Sequence, residues 1–463
     1  MLFGPSASAY THFLRYLTGR SPFTAIPQKY DLNVLPNRTL SYYISDQGPT
    51  QLAPNDSLTG VISQIRAAAK VWNDVESSEL RLSFGGLTTS AVPSSGPGID
   101  VIFTDDIPPG LIAQTGFSQL GDPAGGTFVP IVRSTVMMNR NMTERPSFSE
   151  GFFLTAVHEL GHAIGLQHSL VSSVMATEPT RSTSKAKPLG ADDIAGLSLL
   201  YPTRTFAAAT GAISGRVTLG GDGVALASVV AIPASGPAVS SLTHPDGTFR
   251  IEGIPPGSYY LYAHPLPPAQ RGESRPANIE PPLGSDGRSI APGPTFDTVF
   301  FPGGREPSFL FNVTAGGSTE NVIINVQRRA SAGINTVQTY NFVNQVTVKP
   351  PMMNRNAGRG TLVAAGSGLA TAAGAPVAGL SAAVLANPAM VVAGSLRPYF
   401  AVPYLQLDLN LSPTLAEGPM HMLFTTGNDL YVLPAAFSVA SKPAPVINLV
   451  TNAADGSTRQ VQI

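Results

Sequence analysis

Residues 158–168 read HELGHAIGLQH and hold three of the seven histidines in a chain of 463 residues. His158 and His162 stand four apart, so on a helix both imidazoles project from one face, about one turn from each other. Two imidazoles so placed can bind one zinc ion through their ring nitrogens. His168 supplies a third nitrogen only if the helix stops and the chain turns sharply, and Gly165 is the residue type that makes such a turn without steric penalty. Glu159 lies between the helical pair. It is not needed as a ligand, and its position can reach a water on the open side of the metal. A zinc ion so held would lower the pKa of a water from about 15.7 to about 7 and polarise a carbonyl. Glu159 would then serve as general base and afterwards as general acid. The reaction this predicts is hydrolysis of a peptide bond with one catalytic Zn2+ and no covalent intermediate.

Two histidines and a glutamate on a helix arise by chance in unrelated proteins. Five fixed positions, His158, Glu159, His162, Gly165 and His168, are far more specific. Three histidines merely satisfied by local hydrogen bonds would be an odd use of an otherwise apolar helix.

The elements that must position these residues are legible around them. RTLSYYIS (38–45) alternates as a strand, and LTGVISQIRAAAKVWNDV (58–75) puts Val61, Ile65, Ala68, Trp72 and Val75 on one helical face. Residues 80–84, 98–104 and 131–139 are strand-like. FSEGFFLTAVHELGHAIGL is a long apolar helix, and GADDIAGLSLLY (190–201) is a second amphipathic one. The pattern predicts an α/β catalytic domain over residues 31–203, a twisted sheet plus three helices, after a poorly ordered lead-in over 1–30. Residues 204–210 read as a linker. Beyond it the chain turns to strands and Gly/Pro turns, predicting two all-β sandwich domains at 211–330 and 336–450. His244, His264 and His421 lie there singly and read as surface or strand residues.

Composition bounds the rest. Charged residues are 12% of the chain, about half the usual share of roughly 25%. The formal net charge is −1, so no electrostatic pull toward nucleic acid is expected. There are no cysteines, which excludes disulfides, zinc–thiolate sites and thiol catalysis. No run of about 18 apolar residues predicts a transmembrane helix. Low charge and turn-rich β modules fit a secreted bacterial protein, extracellular or periplasmic, although no signal peptide is readable at the N-terminus.

HELGHAIGLQH with a downstream methionine in SSVMA resembles the metzincin clan of zinc endopeptidases. Ser169 after the third histidine, together with LSYYIS, ISQIRAAAKVWNDV and LGADDIAGLSLLY, is similar to the matrixin branch, over residues 38–203. The resemblance implies that Met175 is the methionine of the turn under the metal, and that Asp192 and Asp193 help hold that turn. Helix N-terminal acids favoured by the macrodipole are an equal reading of those two. Residues 99–140 hold no histidine, so a second, structural zinc site is not carried over. Asp105, Asp106 and Asp122 could hold calcium, but solvated turn acids are the simpler reading. GAISGRVT and DGTFRIEGIPPGSYYLYA resemble the carboxypeptidase-regulatory or prealbumin-like β-sandwich, and the last segment is similar to bacterial immunoglobulin-like modules.

These readings converge on a secreted zinc endopeptidase acting on a protein or peptide, with β domains that are candidates for contact with matrix or a cell surface. The alternative is an adhesion or scaffold protein carrying a weakly active or inactive metzincin domain. Retention of Glu159 argues against it.

Overall fold

The computed structural model describes residues 12–462 apart from 90–95, 109–110, 120–125, 178–182, 269–277, 330–332, 344–345, 349, 400–403, 428, 443–445 and 452–457. The chain divides into two compact units, residues 1–233 with 238–329, and residues 234–237 with 330–463. The α/β region and the β module that follows it therefore form one unit.

In the α/β region β1 (Leu14–Tyr16), β2 (Ala25–Lys29) and β3 (Thr39–Ser45) are followed by the short β4 (Gln51–Leu52) and by α1 (Leu58–Asn73). Then come β5 (Arg81–Thr88), β6 (Gly98–Thr104), β7 (Ala113–Gln119), β8 (Val129–Asn139) and β9 (Asn141–Met142). Helices α2 (Glu150–Ala163), α3 (Ala191–Leu200) and α4 (Phe206–Ala209) complete it. The main sheet has the order β1-β2-β8-β6-β3-β5, with β7 also paired to β8. β2, β8, β6, β3 and β5 run parallel, and β7 runs antiparallel to β8. Parallel neighbours need a crossover, and α1 supplies the one between β3 and β5. β3 alternates as its sequence predicts, with Leu40, Tyr42 and Ile44 buried.

α1 starts at Ser57, whose side chain accepts the amide of Gly60, and it buries Val61, Ile65, Ala68, Ala69 and Trp72. α2 starts at Ser149, which caps the amide of Phe152, and every residue from Phe152 to Ala163 is buried. A helix buried on all sides belongs in a core. Trp72 Nε1 donates to the carbonyl of Val157 at 2.9 Å, locking α1 onto α2. Among the described residues no helix is long and apolar enough to cross a membrane.

The expected disordered lead-in is corrected from residue 12 onward. β2 joins the main sheet through Gln28 and Lys29, and Tyr30 is buried with its hydroxyl donating to the carbonyl of Gly98 at 2.9 Å. Strands of three and five residues are too short to display a period, which is why composition alone hid them. Where a linker is expected over 204–210, α4 forms a single turn whose Phe206 is buried.

The β module of this unit has two sheets around a common core. One joins β10 (Gly211–Leu219), β11 (Asp222–Gly223), β14 (Thr248–Ile254) and β18 (Ser318–Val326). The other joins β12 (Ser228–Pro233), β13 (Val239–Leu242), β15 (Gly257–His264), β16 (Val299–Phe300) and β17 (Phe311–Val313). Ile213, Val217 and Ile251 from the first sheet meet Val229, Leu261 and Val299 from the second. α3 explains why this module and the α/β region are one unit. Its Leu197 and Leu200 lie in the α/β core, while its Ala195 lies in the β core.

The second unit is all β among its described strands. Thr336–Val343, Val346–Val348, Arg359–Ser367, Arg397–Pro398 and Leu405–Asn410 form one sheet. Met352–Asn354, Ser381–Val384, Gly418–Thr426 and Asp429–Ala440 form another. Leu362, Leu407, Met422 and Phe437 lie in their shared core.

Candidate metal centre

α2 carries His158, Glu159 and His162 in its last turns and then ends abruptly. The amide of Leu166 bonds the carbonyl of Gly161 at 3.0 Å, and the amide of Gly165 bonds that of His162 at 3.0 Å. With Gly165 at φ +104°, this is a Schellman stop. A Cβ on Gly165 would sit 2.6 Å from the backbone oxygen of Gln28, so the turn needs glycine for space as well as for conformation. The chain then reverses and brings His168 back to the helix.

The three Nε2 atoms meet. His162 lies 3.1 Å from His158 and 3.1 Å from His168, and His158 to His168 is 3.2 Å. Each Nδ1 faces a backbone carbonyl: Val174 at 2.6 Å for His158, Leu166 at 2.8 Å for His162 and Asn278 at 3.0 Å for His168. A carbonyl can only accept, so each Nδ1 is the donor, and the neutral imidazole in that tautomer presents its Nε2 lone pair. Three lone pairs converging at this range repel one another unless a cation is shared. A tetrahedral zinc with Zn–N of 2.0–2.1 Å requires nitrogens about 3.3 Å apart, so the donor set fits zinc. The carbonyl partners are the supports that orient metal-binding imidazoles. Among the described residues, His158, His162 and His168 are the group of three or more potential ligands that converges in this way.

Glu159 is buried at 6% exposure and its Oε2 accepts from the Thr115 hydroxyl at 2.7 Å. The same hydroxyl contacts the Glu159 carbonyl at 3.1 Å. Thr115 lies on β7, so this strand is tied to the helix at the acidic residue itself. Nothing in the local sequence marks Thr115.

Met175 is buried, and its sulfur packs on α2 at Gly161, where a Cβ would come within 2.3 Å of it. The signal for Gly161 was present, a glycine inside a helical run, which usually has a packing reason. Asp193 is buried at the start of α3, and its carboxylate accepts the amides of Gly190, Val174 and Met175 at 2.7, 2.9 and 3.1 Å. Asp192 faces the other way, accepting from the Ser169 hydroxyl at 2.5 Å and the Ser240 amide at 2.7 Å.

The acids considered for calcium are not gathered. Asp105 lies 3.8 Å from the Arg140 guanidinium, Asp106 accepts from Thr104, and Asp122 lies outside the described residues. His264 ends β15 and His421 lies within a strand. His244, expected on the surface or in a strand, is instead buried in a loop with Nδ1 2.8 Å from the Tyr16 hydroxyl.

An α/β domain that converges three imidazoles on one point, next to a buried helical glutamate, has the donor set of a metallopeptidase. Residues 36–202 match the matrixin family model, and this region is a matrixin-like metzincin catalytic domain. The family implies a zinc-dependent metalloprotease. No curated protein matches the sequence significantly. Among solved structures, fervidolysin from Fervidobacterium pennivorans, a keratinolytic enzyme related to subtilisin, aligns at 16% identity over 49% of this chain and 29% of its own, with a TM-score of 0.15.

Proposed function

We propose that the chain is a secreted zinc endopeptidase that cleaves polypeptides by attack of water, with Glu159 as general base. The observation that carries this reading is the convergence of three Nε2 atoms within 3.1–3.2 Å, each imidazole backed at Nδ1 by a backbone carbonyl, one residue from a buried carboxylate. His158, His162 and His168 hold the metal. Zinc bound there supplies positive charge that acidifies a water and polarises the scissile carbonyl. Glu159 removes the proton of the attacking water and delivers it to the leaving amine. Thr115 fixes one carboxylate oxygen of Glu159, which restrains the direction of proton transfer.

β7 supports a polypeptide substrate. It pairs antiparallel with β8 along one side, and among the described residues no strand pairs its other side. An extended peptide can add to such an edge through main-chain hydrogen bonds, and Thr115 would then hold Glu159 beside the bound chain. An extracellular or periplasmic location belongs to the same proposal and is supported by the low charge and the β-rich modules.

The test is cleavage of casein and gelatin by the wild type and by Glu159→Ala, with zinc content measured in both. Zinc-loaded wild type is expected to cleave, and the variant is expected to keep zinc and lose activity. Zinc-loaded wild type that cleaves no member of a peptide library would leave the adhesion or scaffold reading in its place. An alanine variant as fast as wild type would remove Glu159 from the mechanism.

A further inference from the structure

His158 and His162 are placed by one helix, and their Nδ1 partners come from the same region of the chain. His168 differs. It lies beyond the helix end, half-buried, and the carbonyl that accepts its Nδ1 proton belongs to Asn278, 110 residues further on in the β module. We infer that the first β module is part of the metal centre, with the Asn278 carbonyl positioning the third ligand, His168.

Two neighbouring contacts carry the same load. Ser169, next to His168, donates to Asp192, whose other oxygen accepts the amide and hydroxyl of Ser240 on β13 at 2.7 and 3.2 Å. Leu170, the residue after that, packs in a small apolar cluster with Leu226, Leu242 and Ile279 of the β module. The segment 168–170 is therefore held to the β module by a ring hydrogen bond, a carboxylate bridge and an apolar contact in succession. A ligand's orientation depends on its outer hydrogen bond, and loss of such a partner typically lowers metal affinity about 10–100-fold. Asn278 is a positioning residue, acting through the backbone. Its φ of +50° is a left-handed conformation that glycine adopts readily and proline cannot.

The inference rests on the zinc reading for the identity of the metal alone, so its test reads metal binding rather than cleavage. Full-length wild type, Asn278→Gly and Asn278→Pro are compared by zinc competition with a chromophoric chelator and by the visible spectrum of the cobalt(II) form. Both substitutions delete the same side chain, and only proline displaces the backbone. Asn278→Gly is expected to match wild type within about threefold, while Asn278→Pro loses about 10–100-fold in zinc affinity, with a changed cobalt spectrum. Wild-type affinity in Asn278→Pro, or an equal loss in both variants, overturns the inference. If Asn278→Pro does not fold, Ile279→Ala decides: an affinity lowered about tenfold supports the inference, and an unchanged one overturns it. A wild type that binds zinc and cleaves nothing would end the peptidase reading and leave this one standing.

Discussion

The carboxylate of Asp193 accepts the backbone amide of Met175 at 3.1 Å, so the first turn of α3 holds the methionine turn whose side chain packs on the histidine helix. Burial pushes the Asp193 carboxyl up to about 6 from its ordinary 3.8, against the downward pull of the amides of Gly190, Val174 and Met175 and the hydroxyl of Ser173.

A raised folded-state pKa means that the contribution of this acid to stability is fully present below its unfolded pKa. It is lost as pH rises through about 6. Between pH 4 and 7 stability therefore falls by about 2 kcal/mol. Asp193→Asn is expected to be offset in stability by a constant amount and to lack this slope. Urea unfolding of both proteins at pH 4, 5, 6 and 7 checks it, and parallel curves would refute the assignment.

The two glycines of the site are expected to differ in what alanine does to them. At Gly165 the obstacle is the Gln28 backbone oxygen at 2.6 Å, and φ is +104°. Neither can relax cheaply, so Gly165→Ala should cost about 2–3 kcal/mol and misplace His168. At Gly161 the obstacles are the Met175 sulfur at 2.3 Å and the Trp72 ring at 2.8 Å. The methionine can shift while the Trp72 ring, held by its bond to Val157, yields little, and alanine regains up to about 1 kcal/mol of helix propensity. Gly161→Ala should therefore cost about 1–2 kcal/mol. Thermal unfolding gives the order, and a Gly161 variant less stable than the Gly165 variant would contradict it.

Thr115→Val keeps the shape of the side chain and deletes the hydroxyl that holds Glu159 Oε2. If proton transfer depends on the direction of that carboxylate, kcat should fall about tenfold with KM and zinc content unchanged. A rise in KM at constant kcat would instead place Thr115 in peptide binding.

How much of this was legible follows from the range of each contact. His158, Glu159, His162 and the Gly165 stop obey local rules of helix spacing and capping, and four residues' worth of sequence reveals each. Met175 and Asp193 were reached only through the resemblance to matrixins, because the turn and the helix that holds it are 18 residues apart. Asn278 could not be reached at all, since a backbone carbonyl leaves no trace in side-chain type. β2 was missed for a related reason. It is five residues long and contains Pro27, so it reads as irregular, yet Gln28 supplies the surface against which Gly165 closes.

Chelation supplies a last prediction. The fold holds three Nε2 atoms 3.1–3.2 Å apart, an arrangement that the unfolded chain does not keep. Zinc should therefore bind the folded state far better than the unfolded one, and at free zinc 100-fold above Kd it adds about 2.7 kcal/mol of stability. EDTA treatment should lower the unfolding midpoint by about 5 °C. Zinc should restore it, whereas magnesium and calcium, which prefer oxygen ligands, should not. His162→Ala removes the central member of the three and should abolish the response to both chelator and zinc. A midpoint unmoved by EDTA in the wild type, with zinc removal verified by metal analysis, would mean that the imidazoles are held together by the protein alone.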